Sequence, residues 1–267
     1  MLKSKYVYEN IKRLLMINSS HKRKKADKKR GDEKMRHEKR VNEHTDDGGI
    51  FDEEMSNLEN IGSITAGDDG LRIHCMSIIG QIEGHYLLPS GQKSTKYEHI
   101  LPLLAAIEMS NKIDGMLFIL NTVGGDVEAG LCIAEMIASM SKPTASLVLG
   151  GGHSIGVPLA VAAKRSFIVP SATMTLHPVR INGTLIGAPQ TYYMLNKMQD
   201  RIVSFVTDHS KIREDDFRRL IMRPDEMAND IGTLLDGREA VKTGLIDELG
   251  GLSDAIEAIR KMRQNEK

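Results

Sequence analysis

Residues 150–156 read GGGHSIG, and within them Gly152-His153-Ser154-Ile155-Gly156 forms a G-x-S-x-G pattern. Such a pattern marks a serine whose hydroxyl is presented on a tight turn between a strand and a helix. The flanks agree. Ala145-Ser146-Leu147-Val148-Leu149 is an apolar run of strand length, and residues 155–163 are small and apolar enough for a buried helix. The spacing of everything else relative to Ser154 decides which fold this turn belongs to.

On the N-terminal side, Met116-Leu117-Phe118-Ile119-Leu120 is wholly apolar, as expected of a strand covered on both faces, and runs into Asn121-Thr122-Val123-Gly124-Gly125. Residues 127–140 then carry Val127, Leu131, Ala134 and Ala138 at helical spacing and are stopped by Pro143. Further back, residues 73–80 read as a strand closed by glycine. Residues 84–96 read as a Gly/Pro/Ser/Lys-rich loop, and residues 97–109 as a helix. On the C-terminal side, residues 167–169 and 173–176 read as strands. Residues 191–206 and 215–222 read as helices, residues 238–247 as a helix ended by glycine before a further strand, and residues 252–262 as a last helix. The βαβαβ alternation predicts an α/β fold, a parallel sheet with covering helices.

Charge divides the chain. Residues 1–45 hold 15 Lys and Arg against 6 Asp and Glu, whereas residues 46–267 hold 21 against 30. The run HKRKKADKKRGDEKMRHEKR has almost no large apolar side chains to offset its ordering entropy. Residues 1–70 are therefore expected to be a basic, mostly disordered extension with one short helix over residues 6–16, and residues 71–267 a single domain. Such a tail is expected to be solvated; gripping anionic lipid is a weaker alternative, and nucleic acid is not an expected partner. Residues 143–163 carry no charge and nearly match a bilayer in length, but Gly150-Gly151-Gly152 and Pro158 break them into strand, turn and helix. With no secretory signal visible, a cytoplasmic setting is expected. Cys75 and Cys132 are expected as reduced core residues, and neither a metal site nor a cofactor is indicated.

A serine nucleophile needs a base, a group that orients the base, and N–H donors for the oxyanion. The amide of Ile155 follows Ser154 directly. The second strand-to-glycine-to-helix junction, residues 120–127, brings the amide of Gly125 alongside. Three histidines are available as base. His153 is adjacent and expected to point away, and His209 lies in a polar surface stretch. His177 ends an apolar strand ahead of Pro178 and is the expected base. An α/β-hydrolase would place its acid between serine and histidine, with the histidine late in a long chain. Only 113 residues follow Ser154 here, and no strand-end aspartate lies between Ser154 and His177, so the order Ser, His, Asp fits better.

The ordered set Asn121-Thr122-Val123-Gly124-Gly125, Ala129-Gly130, Ser154, Thr175-Leu176-His177-Pro178, Glu239-Ala240-Val241 and Gly244-Leu245-Ile246-Asp247 resembles the ClpP-like serine peptidases. The likeness is greatest to their translocation-enhancing (TepA) branch and runs from about Ile73 to Ile256. The resemblance implies a ClpP/crotonase-like βαβ spiral with a Ser-His-Asp triad and an oxyanion hole from Gly125 and Ile155. It also implies stacked homo-oligomeric rings joined by a strand-and-helix handle over residues 179–206.

The sequence departs from the pattern in several places. The family's Asn-Ser-Pro-Gly-Gly has Thr122 and Val123, and its Ala-Ser-Met-Gly has His153 and Ile155. Asp126 follows the glycine pair, where a carboxylate could weaken the oxyanion hole or select basic substrates. Counting back from Glu239-Ala240-Val241 puts the family's catalytic aspartate at Gly232. Asp230, two residues earlier, is the expected third member, with Asp236 and Asp225 behind it. Residues 1–70 show no match to the segment that meets the unfoldase in the family, and a loop at residues 86–96 is inserted. A Clp-type ATPase partner is therefore left open.

The expected activity is a serine endopeptidase acting on peptides or unfolded polypeptides inside an oligomeric ring, with a link to preprotein translocation or processing. The alternatives are a catalytically weak ring that binds peptides or preproteins, and an acyl-CoA enzyme of crotonase type. A Ser-Lys peptidase using Lys164 ranks below both.

Overall fold

The structure, a computed structural model, describes residues 62–68, 70–181, 187–224 and 231–265. The two strands expected around Ser154 form its centre: β4 (Gly115–Gly125) and β5 (Thr144–Gly152) lie side by side and parallel, with Phe118 opposite Ser146 and Leu120 opposite Val148. β2 (Leu71–Glu83) flanks β4, also in parallel, and β6 (Arg165–Ile168) flanks β5. At the edges, β1 (Ser63–Asp68) runs antiparallel to the first half of β2, and β3 (Ser94–Lys96) pairs with its last residues. The short β9 (Glu248–Leu249) closes the far side.

Side-chain alternation along these strands builds two cores. One face of the sheet, with Met76, Ile78, Phe118, Leu120 and Val148, is covered by α1 (Tyr97–Met109), α2 (Val127–Ala138) and α3 (Gly156–Val161). The other, with Ile73, Leu117, Leu147 and Phe167, is covered by α7 (Leu252–Asn265) through Ala255 and Ile259. Every residue of the Met116–Leu120 run except Ile119 is fully buried, as a strand covered on both sides requires. Each such Leu, Met or Phe contributes on the order of 2 kcal/mol relative to exposure.

Beyond β6 the chain leaves this sheet. β7 (Thr173–Leu176) pairs with β5 at the one position Thr173–Gly151, and it carries β8 (Thr233–Asp236) antiparallel on its other side. Between β7 and β8 come α4 (Ala188–Asp208) and α5 (Glu214–Ile221); α6 (Gly237–Lys242) follows β8. Only the C-terminal part of α4 is buried, at Val203, Phe205 and Val206, while Tyr192, Tyr193 and Met194 are exposed. A helix thus occupies most of the stretch expected as the handle. The expected strand is not seen among the described residues, since residues 179–181 are irregular and 182–186 lie outside them.

Several expectations need correction. The folded region starts before the expected boundary at residue 71, because β1 pairs Ser63 with Met76 and Thr65 with His74. Residues 94–96, read as loop, pair with β2, and β8 was not anticipated. Cys132 is exposed on α2 rather than in the core, while Cys75 is half-buried. The expected helix over residues 6–16 lies outside the described residues. Residues 143–163 form strand, turn and helix as expected, and no helix among the described residues is long and apolar enough to cross a membrane.

Candidate active site

Ser154 follows β5 and immediately precedes α3 with φ +57°, the one left-handed non-glycine residue described. An L-residue there costs about 1–2 kcal/mol, and such strain gathers at functional turns. The turn is fastened on both sides. Its amides donate outward, His153 N–H to the Thr122 carbonyl at 3.2 Å and Ser154 N–H to the Thr175 carbonyl at 2.8 Å. Inward, Gly156 and Val157 donate to the His153 and Ser154 carbonyls at 2.9 and 3.0 Å.

The neighbouring turn at the end of β4 lies directly against it. A Cβ on Gly124 would stand 2.6 Å from Ser154 Cβ, and one on Gly125, at φ +154°, 2.2 Å from the Ile82 carbonyl oxygen. Only glycine fits either place, which gives the Gly124-Gly125 pair its physical basis. Asp126 N–H donates to Ile82 on the β2 side at 3.0 Å. Gly125 and Ile155 both line the cleft that holds Ser154. They are the two donors expected for an oxyanion, placed beside the N-terminal end of α3.

Two departures from the family pattern acquire roles here. Thr122 Oγ1 donates to the Gly80 carbonyl at 2.6 Å and accepts from Gly124 N–H at 3.1 Å, bracing the glycine turn. Asp126 caps α2, accepting from Ala129 N–H at 2.8 Å. Its carboxylate is thus committed to the helix end.

His177, just past β7, lines the same cleft of about 130 Å³ as Ser154. The structure therefore brings the expected nucleophile and base to one site. No side-chain hydrogen bond joins them among the described residues. Instead, His177 Nδ1 lies 2.8 Å from the Pro178 carbonyl oxygen. A carbonyl only accepts, so Nδ1 donates to it and Nε2 is the nitrogen left free of that bond. His209 is not at this cleft: it stacks on Phe205 and lines a separate groove with Glu128, Cys132 and Arg201.

The third member is less complete. Asp230 and Asp225 lie outside the described residues. The β7–β8 register ends with Leu176 opposite Thr233, leaving His177 just past β7 and Gly232 just before β8, where its N–H donates to the Arg223 carbonyl at 2.8 Å. The position counted from the sequence thus carries no carboxylate. Asp236 is at the other end of β8, opposite Thr173, and its carboxylate accepts from Glu239 N–H at 2.9 Å in a capping box for α6.

The apolar wall of the cleft, formed by Val127, Val157, Ile202, Phe217 and Ile221, was not read from the sequence as part of the site. Ile202 was visible only as a core position of a helical stripe, because α4 and α5 reach the site through tertiary packing.

Residues 72–251 match the family described as Clp protease. The chain is 60% identical over 190 residues to the translocation-enhancing protein TepA of Halalkalibacterium halodurans, covering 71% of this chain and 74% of that protein. It is 26% identical over 166 residues to the ATP-dependent Clp protease proteolytic subunit 1 of Protochlamydia amoebophila, covering 60% and 76%. To the same subunit of Chlamydia trachomatis it is 32% identical, over only 30% of this chain and 43% of that one. Among solved structures, a point mutant of ClpP1 from Listeria monocytogenes superposes with a TM-score of 0.54 at 20% identity, covering 68% of this chain and 94% of that one, a likeness of fold.

Proposed function

Because the chain belongs to the Clp protease family, we propose that it is a serine endopeptidase that hydrolyses peptides or unfolded polypeptides within a homo-oligomeric ring. The observation that carries this reading is the convergence of Ser154, His177, Gly125 and Ile155 on one cleft. His177 Nε2 takes the proton as Ser154 Oγ attacks the scissile carbonyl and returns it to the leaving amine. The Gly125 and Ile155 amides hold the oxyanion; the Pro178 carbonyl orients the imidazole through Nδ1–H, and Asp230 stabilises the imidazolium that forms. The apolar wall takes one substrate side chain. Exposed Tyr192, Tyr193 and Met194 on α4 support a subunit contact there. A cytoplasmic setting and a role beside preprotein translocation belong to the same proposal; the latter rests on the name of the TepA relative. A Clp-type ATPase partner remains part of the proposal only as an option.

A second reading, a ring that binds peptides without cleaving them, draws support from a glycine rather than a carboxylate at position 232, next to the Leu176–Thr233 pair, and from the absence of a Ser154–His177 hydrogen bond among the described residues. Hydrolysis of an unstructured polypeptide by the purified oligomer separates the two. Turnover that disappears in Ser154→Ala supports the peptidase, and binding without turnover supports the alternative.

A further inference from the structure

We propose that His153 is a positioning residue that holds the strand carrying His177 against the turn carrying Ser154; this rests on the peptidase reading above. From the sequence, His153 was expected to point away from the site. The structure turns its ring back onto β7, where Nδ1 lies 3.1 Å from Thr175 N and 2.8 Å from Thr175 Oγ1. An amide N–H can only donate, so Nδ1 presents its lone pair and the proton sits on Nε2. Burial lowers the His153 pKa, which favours this neutral form.

The consequence lies in what Thr175 connects. Its carbonyl accepts from Ser154 N–H at 2.8 Å, so both of its backbone groups are held by consecutive residues of the nucleophile turn. Thr175 is two residues before His177, on the same alternating side of the chain. The register between β5 and β7 is otherwise the single pair Gly151 and Thr173. The His153–Thr175 bonds and the Ser154–Thr175 bond therefore set the separation of nucleophile and base. The ring has a fitted seat, since a Cβ on Gly151 would come within 2.4 Å of His153 Nε2. The alanine of the family pattern at this position could not form the link, so the device belongs to this chain's own sequence.

The test uses the full chain as wild type, His153→Leu, His153→Asn and His153→Gln. It reads the rate of labelling by a fluorophosphonate probe, kcat and KM on an unstructured peptide, and hydrogen exchange at the Thr175 amide. Asn places a carbonyl oxygen near the position of Nδ1, whereas Gln carries it one methylene farther and Leu lacks it. A displaced base should lower kcat and labelling roughly a hundredfold in the Leu and Gln variants, with KM little changed, and Asn should restore most of the loss. Labelling of His153→Leu at the wild-type rate, or of His153→Asn no faster than His153→Gln, would overturn the proposal. Should His153→Leu fail to fold, the Asn and Gln pair decides. Should wild type be inert to the probe, the peptidase reading fails, and hydrogen exchange decides the positioning claim separately: faster exchange at Thr175 in the Leu variant supports it, and unchanged exchange refutes it.

Discussion

His177 donates its Nδ1–H to the carbonyl of the next residue, Pro178, at 2.8 Å. The main chain thereby fixes the tautomer that a general base needs, a task usually met by a carboxylate. Removal of Asp230 should then cost less than a wrong tautomer would. We expect His177→Ala to abolish peptide hydrolysis, and Asp230→Ala to reduce kcat by well under the roughly ten-thousandfold loss that follows mis-tautomerisation. A loss of that full size in Asp230→Ala would show that the Pro178 carbonyl does not do this work.

The left-handed backbone at Ser154 makes a stability prediction that is independent of activity. Glycine adopts φ +57° without the Cβ penalty. Ser154→Gly should be more stable than Ser154→Ala by about 1 kcal/mol, read from denaturant midpoints, although both lose the nucleophile. Equal midpoints would mean that the turn relaxes when the serine is removed.

Asp236 tests the assignment of the acidic residues. As N-cap of α6, its replacement by alanine should destabilise the fold by about 1 kcal/mol, and labelling of Ser154 should stay near the wild-type rate. A large loss of labelling with little loss of stability would move Asp236 into the catalytic group.

His74 is buried against β1, its Nδ1 bonded to Thr65 Oγ1 at 2.9 Å and its Nε2 without a partner among the described residues. Burial lowers its pKa from 6.5 to about 4. The unfolded chain therefore binds a proton below pH 6.5 that the folded chain refuses. Stability from this group is complete above about 6.5 and is lost as pH falls toward about 4, by about 3 kcal/mol at most. Denaturation of wild type and His74→Asn between about pH 7 and about pH 4.5 should show a smaller decline in the variant; parallel declines would remove His74 as the cause.

Much of this arrangement was legible in the sequence because its strands are apolar runs ended by glycine, and the glycines mark where two turns must meet. Ser154, Gly125, Ile155 and His177 all fall at strand ends, so spacing alone set them near one another. The less legible parts depend on long-range pairing. β1 is a short edge strand that includes Ala66 and Gly67, and β8 is four residues long; neither has enough period to be seen locally. The role of His153 depended on which way a ring turns, and the apolar wall on how α4 and α5 pack. Asp230 was placed by a count that lands on Gly232, which stands just before β8 and supplies no carboxylate.

The central claim is that Ser154 is an activated nucleophile. The most direct measurement is labelling of the purified, intact oligomer with a fluorophosphonate probe, with the modified residue located by mass spectrometry. The account predicts one adduct per chain, on Ser154, absent in Ser154→Ala and in His177→Ala. An intact oligomer that takes no label, or one that labels elsewhere while Ser154 stays free, would contradict it.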